Sequence, residues 1–291
     1  MRFRASAVAV TTGVLALTTL AAPAVQADET PRPDRAAAEK LRADAVAEAR
    51  AKQRSGASAK ARIAANPNPT ISNVIVNGGK PLVVGLADKK FTVTFKATSP
   101  SGIQEGFAIP WAGTNPDTTD AFFLADEFYA KNCTGAAPVC RSDYTVIPWL
   151  DLENRWAGTW KTQIGALSGD ALGATVIDNA KSFSVLRDTR LTVNAAPEPV
   201  KKNKTLTITG TQRIVNWDRE TYSGYSGQSV VLEFRKKGAK AYSRVKTVKT
   251  DAKGNLKTTV KATTDGYWRY NYKGAPGIAP VLTAGDFVDV R

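Results

Sequence analysis

The feature that most constrains this chain is a run of short alternating segments that begins at Thr70 and continues to the C-terminus. Phe91–Ala97 (Phe-Thr-Val-Thr-Phe-Lys-Ala) shows the pattern, with an apolar residue at every second position. Because successive side chains of a strand point to opposite faces, this period of two predicts half-buried strands. Gly, Pro, Asn and Asp separate the segments, as is typical of a β-sandwich or barrel.

We therefore predict an all-β fold of two tandem immunoglobulin-like β-sandwich domains, at residues 70–188 and 189–291. About seven short strands per 100 residues match the immunoglobulin-like count. The first half has predicted strands at Thr70–Val76, Phe91–Ala97, Ala121–Leu124, Tyr144–Ile147, Thr159–Ile164 and Ser182–Leu186. The second half has predicted strands at Leu191–Ala195, Thr205–Thr211, Val230–Arg235, Tyr242–Lys249, Leu256–Ala262, Tyr267–Tyr272 and Phe287–Val290.

Two local patterns support this division. Ala157-Gly-Thr-Trp-Lys161 is repeated as Asp265-Gly-Tyr-Trp-Arg269, and each precedes a terminal Phe-x-Val strand, which indicates one unit used twice. The segment Asp251–Gly254 predicts a β-hairpin, with Gly254 in the left-handed position of a type I turn followed by a bulge. In the strand after it, Leu256 and Val260 are expected to face the core and the lysines to face water.

The N-terminal 69 residues have a different composition. Arg2 and Arg4 precede a small-residue apolar run, and Val25 and Ala27 flank Gln26, which predicts a signal peptide at residues 1–27. Residues 28–69 are rich in Ala, Lys, Arg and Glu, and we expect a partly helical spacer that the prolines of Asn66-Pro-Asn-Pro69 end. No later stretch is apolar enough to span a membrane, so the mature chain is expected to be soluble and secreted, or loosely associated with the cell wall.

Histidine is absent from the chain, and this excludes every site that depends on an imidazole base or ligand. The sequence also contains no nucleophile elbow, phosphate loop or dinucleotide fingerprint, so we expect a non-enzymatic protein without a cofactor. Its two cysteines, Cys133 and Cys140, lie in one polar segment of a chain that we expect to be exported. They are predicted to form a disulfide within the first domain.

The net charge of +14 is unevenly distributed. Residues 66–188 carry 10 basic and 12 acidic side chains, whereas residues 189–291 carry 19 basic and 8 acidic ones. Such an asymmetry predicts a positive surface potential that attracts polyanions, although strand lysines also serve to prevent edge-to-edge aggregation. No nucleic-acid-binding motif is present. The candidate polyanion-binding residues are Lys236, Lys237, Lys240, Lys246, Lys249, Lys257 and Lys261.

Two other kinds of ligand are open from the sequence. Trp217, Tyr222 and Tyr225 are candidates for stacking on a carbohydrate, since aromatic rings on a β surface pack against sugar rings. Calcium is the second, because exported β-sandwiches hold oxygen ligands in their loops, although no EF-hand loop is present. Its candidate ligands are Asp117, Asp120, Asp126 and Glu127, which are otherwise ordinary turn residues.

The second half also carries a family resemblance. It is borne by Leu191-Thr-Val-Asn-Ala-Ala-Pro-Glu-Pro-Val-Lys-Lys202, Val231-Leu-Glu-Phe-Arg-Lys-Lys-Gly238 and Gly254-Asn-Leu-Lys-Thr-Thr-Val-Lys-Ala262. These stretches resemble secreted tandem immunoglobulin-like proteins of filamentous actinobacteria, a family of uncharacterised function in which some members are described as calcium-binding. The resemblance implies export and a β-sandwich fold, and it implies no catalytic or ligand residue.

The leading hypothesis is a secreted binding or envelope-associated protein whose basic second domain contacts an anionic surface polymer. One alternative is a calcium- or carbohydrate-binding module, and another is a structural protein that captures a partner through the N-terminal helix. The sequence does not identify the partner.

Overall fold

The computed structural model describes residues 68–116 and 118–291. The predicted signal peptide and nearly all of the predicted spacer lie outside the described residues. The described part is built from β-strands with only short helical turns, at Asn77–Gly79, Pro148–Asp151 and Asn154–Trp156. No helix within it is long and apolar enough to cross a membrane.

The first half contains two sheets. A three-stranded sheet has the order β1 (Thr70–Val76), β3 (Lys89–Thr98) and β5 (Val139–Val146). A four-stranded sheet has the order β2 (Leu82–Val84), β7 (Ala174–Arg187), β6 (Gly158–Ser168) and β4 (Ile103–Trp111). All pairs are antiparallel except β2 with β7.

Both sheets contribute alternate residues to one hydrophobic cluster, which makes this half a sandwich. From β3, Phe91, Val93 and Phe95 are buried, as their period of two predicts. Trp160 of β6 is fully buried and stacks on Phe123, with 4.3 Å between ring centroids. Phe123 belongs to a segment predicted as strand Ala121–Leu124, and that prediction is wrong. The segment makes only an isolated bridge, and Phe123 packs into the core from a loop.

The second half also contains two sheets. In the first, β10 (Thr205–Asn216) is central and pairs with β8 (Thr189–Leu191), β9 (Asn194–Ala196), β11 (Thr221–Gly224) and β14 (Asn255–Lys261). In the second, the order is β13 (Ser243–Lys249), β12 (Ser229–Lys236), β15 (Gly266–Tyr272) and β16 (Val281–Leu282), and β17 (Asp286–Val288) also pairs with β15.

The core of this half lies between its two sheets. Leu206 and Ile208 of β10 face Trp268, Tyr270 and Tyr272, the alternate residues of β15, and all five are buried. The phenol of Tyr270 donates a hydrogen bond to the carbonyl of Ile208 at 3.3 Å, so its hydroxyl is satisfied inside the core. The all-β, immunoglobulin-like β-sandwich fold is thus confirmed, and the division into two domains at residue 188 stays a prediction.

Some strands carry no clear sequence pattern. The prediction omitted β4, whose Gly106 and Pro110 interrupt the alternation, and it omitted the three-residue β2. Gly106 is required because a β-carbon there would lie 2.7 Å from the Cys133 sulfur. These strands are held by long-range pairing and not by local propensity.

The Asp251–Gly254 turn is confirmed, and the hairpin is not. Gly254 has φ +79°, and its amide donates to the carbonyl of Asp251 at 3.0 Å. However, β13 pairs with β12 while β14 pairs with β10, so the turn carries the chain from one sheet to the other. The expected faces of β14 are confirmed, with Leu256 buried and Lys257 and Lys261 exposed.

The disulfide between Cys133 and Cys140 is also confirmed. Both cysteines are buried in the first hydrophobic cluster, and Cys140 belongs to β5. The bridge closes a short loop against the edge of this sandwich, where Ile103 pairs with Gly135.

A candidate polyanion-binding surface

Four segments of the second half meet at the end of the sandwich where β10 begins and β12 and β14 finish. They are residues 201–204, 236–240, 261–265 and 289–291, which we call the basic end. Backbone hydrogen bonds join them: Lys202 N–H donates to the Arg291 carbonyl at 2.7 Å, and Asn203 N–H donates to the Ala262 carbonyl at 2.7 Å. Lys237 N–H donates to the Asp265 carbonyl at 2.9 Å. The segments are therefore positioned by their backbones, not by their charged side chains.

The basic end concentrates positive charge. Its four segments carry two acidic side chains, Asp265 and Asp289, which pair with Lys237 at 3.6 Å and with Arg291 at 2.8 Å. Within the described residues, six of its lysines form no ion pair at all. Its eight basic side chains are those of Lys201, Lys202, Lys204, Lys236, Lys237, Lys240, Lys261 and Arg291.

A polar face of β10 and β14 extends from the basic end. Their antiparallel register places Thr205 opposite Lys261, and Thr209 opposite Lys257, with Thr207 and Thr259 between them. Directly opposite residues share a face of the sheet. Lys257 and Lys261 are four residues apart, which corresponds to about 13 Å along the strand. Ammonium groups therefore alternate with hydroxyl groups along this face.

The structure thus divides the seven predicted lysines into two sets. Lys236, Lys237, Lys240 and Lys261 lie at the basic end, and Lys257 lies on the adjoining face. Lys246 and Lys249 lie instead on the edge strand β13, and the Lys246 ammonium donates to the carbonyl of Thr259 at 2.7 Å. Arg291 was not expected to take part, because only the folded chain brings its C-terminal residue beside Lys202.

The neighbouring surface has the opposite character. Glu198 lies near Asp286 and Asp289, and burial together with these two carboxylates raises the pKa of Glu198 above its ordinary value. Asp286 is engaged, because it accepts a hydrogen bond from the amide of Ala195 at 2.6 Å.

A cluster of cations and aromatic rings covers the outer face of β12 and β15. Arg235 lies 4.2 Å from the ring centroid of Tyr267, and Arg269 lies 3.7 Å from that of Tyr242. Arg269 also pairs with Glu233 at 2.7 Å. Stacking on aromatic rings positions both arginines, and the ion pair further positions Arg269. This aromatic cluster lies beside the basic end. This cluster has no local sequence pattern, because its members come from three separate segments.

The chain was compared with known proteins. No protein-family model matches it, and no curated protein sequence matches it. Among solved structures it is similar to fibronectin(III)-like modules of CbhA from Clostridium thermocellum, with 12% identity, a TM-score of 0.33, and coverage of 75% of this chain and 93% of that one. It is also similar to a chimeric titin Z1Z2 tandem, with 12% identity, a TM-score of 0.28, and coverage of 77% and 99%. Likenesses this distant support no statement about function.

The three carbohydrate candidates do not form one open platform. Trp217 is 2% exposed and packs in the hydrophobic cluster of the first half, which corrects its interpretation as a stacking residue, because a sugar needs an open ring face. Tyr222 donates to Asp188 at 2.7 Å, and Arg190 covers one face of its ring. Burial and the nearby Asp188 raise the pKa of Tyr222 to about 12. Tyr225 is half-buried and packs edge-on against Tyr272.

The calcium candidates are dispersed among other contacts. Asp120 pairs with Arg155 at 3.1 Å, and Glu127 pairs with Lys131 at 3.6 Å. Asp126 accepts a hydrogen bond from the Thr145 hydroxyl at 3.4 Å, and Asp117 lies outside the described residues. In the part of the chain that the structure describes, no three His, Cys, Asp or Glu side chains are grouped to hold a metal ion. Calcium binding therefore stays a prediction of the sequence.

Proposed function

We propose that this protein is a non-catalytic extracellular binding module whose basic end contacts an anionic polymer of the cell surface. The observation that carries the proposal is the gathering of eight basic side chains on four backbone-linked segments. Because the backbone already holds these segments together, little backbone conformational entropy is lost when a polyanion binds, and the remaining cost is that of ordering the lysine side chains, about 0.5 to 1.5 kcal/mol each.

Protection of sheet edges explains only part of the positive charge. Lysines on an exposed edge strand discourage pairing with another chain, and Lys246 and Lys249 on β13 fit that role. The lysines at 201–204 and 237–240 lie in turns outside the strands, where there is no strand edge to protect. Their concentration there favours a binding surface.

The type of contact expected is electrostatic and depends on salt. Exposed lysines attract phosphate or carboxylate groups across a few ångströms, and ions screen this attraction beyond about 8 Å at physiological ionic strength. The threonine hydroxyls of the β10–β14 face add hydrogen-bond donors beside Lys257 and Lys261. Export to the cell surface is part of the proposal, and the confirmed disulfide supports it because disulfides persist in oxidising compartments.

The test compares two triple variants of the full chain for retention on isolated bacterial cell wall and on immobilised linear polyphosphate. K202A/K204A/K261A removes three charges from the basic end. K80A/K89A/K90A removes three exposed lysines from the first half and is the matched control. We expect affinity to fall at least tenfold in the first variant and less than twofold in the control, since each basic residue near a polyanion contributes about 1 kcal/mol.

Salt supplies the second arm of this test. Raising ionic strength from about 50 mM to about 500 mM should release the wild-type protein from both supports. Equal losses in the two triple variants would assign retention to net charge alone and overturn the proposal. Failure of the wild-type chain to bind either support at low salt would overturn it as well.

A further inference from the structure

Where strands β10 and β14 pair, their outer face carries no charge other than that of its lysines. Leu206 and Ile208 of β10 and Leu256 of β14 are buried, so the residues between them face outward. β9 widens this face, because it pairs with the other side of β10. None of the outward residues is acidic: they are Thr205, Thr207, Thr209 and Thr211 on β10, Asn255, Lys257, Thr259 and Lys261 on β14, and Asn194 and Ala196 on β9.

The threonine hydroxyls nearest to the basic end are available to a ligand. Farther along the face, the hydroxyl of Thr209 donates to the carbonyl of Asn194 at 3.3 Å. In the part of the chain that the structure describes, the hydroxyls of Thr205 and Thr259 form no hydrogen bond with the protein, and both residues are exposed. Thr205 lies directly opposite Lys261, and Thr259 lies two residues before it. Hydroxyl groups without a protein partner therefore lie beside an exposed ammonium group.

Edge protection explains the lysines of this face only in part. In the described sheet, β14 pairs with β10 alone, so its other edge is open to pairing with another chain. The Lys246 ammonium already covers the middle of that edge, because it donates to the carbonyl of Thr259 at 2.7 Å. Lys257 and Lys261 lie on the face of the sheet, where they meet a ligand that lies across the strands' outer surface.

The groups on this face are regularly spaced. Outward residues of one strand recur every two positions, about 7 Å apart, and those of the neighbouring strand lie about 5 Å to the side. Lys261, Thr259 and Lys257 therefore present an ammonium, a hydroxyl and a second ammonium at intervals of about 7 Å. Thr205 and Thr207 begin a parallel row of hydroxyl groups on β10.

This spacing fits a polymer of polyol units that are joined by phosphodiesters. A repeat of three carbons and one phosphate has six backbone bonds. Since the three backbone bonds of an amino-acid residue span at most about 3.6 Å, successive phosphates of the extended polymer lie about 7 Å apart. The oxygens of such a polymer can also form hydrogen bonds with threonine hydroxyls. Linear polyphosphate has two bonds per phosphate and no polyol, so it matches only the charge of this face.

We propose that the β10–β14 face selects polyol phosphates among the polyanions that the basic end attracts. This inference rests on the proposed function and names the class of polymer. The basic end attracts any polyanion, whereas the face matches the repeat. Lys257 and Lys261 bind alternate phosphates, and the hydroxyls of Thr205 and Thr259 bind the oxygens between them. The polymer consequently lies along the strands and leads away from the basic end.

The first experiment measures binding of the full chain at low salt to poly(glycerol phosphate) and to linear polyphosphate with the same number of charges. Polyphosphate carries about three times as many charges per unit length, so charge alone predicts that it binds more tightly. We expect the opposite order, with poly(glycerol phosphate) bound several-fold more tightly. Tighter binding of polyphosphate would overturn the selection and leave the proposed function standing. Failure of both polymers to bind would overturn both proposals.

The second experiment removes hydroxyl groups without a change in charge. T205V/T259V keeps the β-branched shape of both side chains, and T92V/T94V, on β3 of the first half, is the matched control. We expect T205V/T259V to bind poly(glycerol phosphate) about fivefold more weakly than wild type and to bind polyphosphate unchanged. The control should match wild type on both polymers, and circular dichroism checks that each variant is folded. Equal losses on both polymers, or no loss on poly(glycerol phosphate), would overturn the selection.

Discussion

Trp217 donates its indole N–H to the carbonyl of Gly85 at 3.3 Å, so a residue that follows β10 is bonded to the loop that follows β2. The indole is buried in the hydrophobic cluster of the first half although it comes from the second. Gly85 also admits Tyr222, because a β-carbon there would lie 2.7 Å from the Tyr222 hydroxyl. Side chains of the second half therefore form part of the hydrophobic core of the first half.

Asn154 binds the turn that carries Trp217. Its side-chain carbonyl accepts the Trp217 amide at 3.1 Å, and its amide nitrogen donates to Asn216 at 2.8 Å and to Asp218 at 2.6 Å. Nearby, the Arg187 guanidinium donates two hydrogen bonds to the Val215 carbonyl. The junction is thus satisfied by specific polar contacts as well as by packing.

We predict that Trp217→Ala lowers the free energy of unfolding by about 3 to 5 kcal/mol, because it leaves a cavity of indole size in the first core. Trp217→Phe should cost less, since it retains most of the apolar surface and loses the bond to Gly85. Urea unfolding followed by circular dichroism measures both changes. Val245→Ala, at an exposed side chain, is the control and should change stability by less than about 0.5 kcal/mol. A loss below about 1 kcal/mol in Trp217→Ala would show that the shared core is not needed.

Removal of the disulfide should destabilise the first sandwich. Cys133 and Cys140 are seven residues apart, and the chain-entropy model gives about 2 to 3 kcal/mol for so short a loop. We expect the free energy of unfolding of the C133S/C140S variant, and of the reduced wild-type protein, to be lower by that amount. Both should therefore unfold at a lower urea concentration than the oxidised wild-type protein. Addition of reductant to the double variant is the control and should have no further effect. An unchanged midpoint would mean that the buried sulfurs contribute only by packing.

Glu233 should make stability depend on pH. Burial disfavours its charged form, but hydrogen bonds from Asn271 at 2.8 Å and Arg269 at 2.7 Å outweigh this and hold the pKa of Glu233 below its ordinary value. A carboxylate whose pKa is lowered by folding stabilises the protein above its unfolded pKa, about 4.3 for glutamate. That contribution is lost as pH falls through the folded pKa.

The test compares Glu233→Gln with wild type between about pH 3 and pH 7. At neutral pH we expect the variant to be less stable by about 1 kcal/mol, and the difference should shrink toward zero below about pH 4. Glu153→Gln removes a carboxylate from an exposed ion pair with Arg155 and should have little effect at neutral pH. If the difference in the free energy of unfolding between Glu233→Gln and wild type stayed constant across this range, the loss would come from the altered hydrogen bonds or packing of the side chain and not from its charge.

Several features followed from local sequence alone. The period of two placed Phe91, Val93 and Phe95 inside and Lys257 and Lys261 outside, because residue parity decides which face of a strand a side chain occupies. The left-handed conformation of Gly254 followed from its place in the turn, since glycine adopts positive φ without steric cost. The disulfide followed from the presence of only two cysteines.

Tertiary structure decided what parity cannot express, namely which strand pairs with which and which loops meet. The sequence predicts a hairpin at Asp251–Gly254, yet its two strands enter different sheets, because each finds its partner far away in the chain. The sequence around Trp217 does not distinguish a surface stacking residue from a buried one. Its indole is buried because the first half of the chain supplies the core around it. The basic end likewise exists because backbone hydrogen bonds bring Lys202 beside Arg291, 89 positions apart in sequence. Periodicity indicates which face of a strand a residue occupies. Contacts between residues far apart in sequence depend instead on how the strands of the whole chain pair and pack.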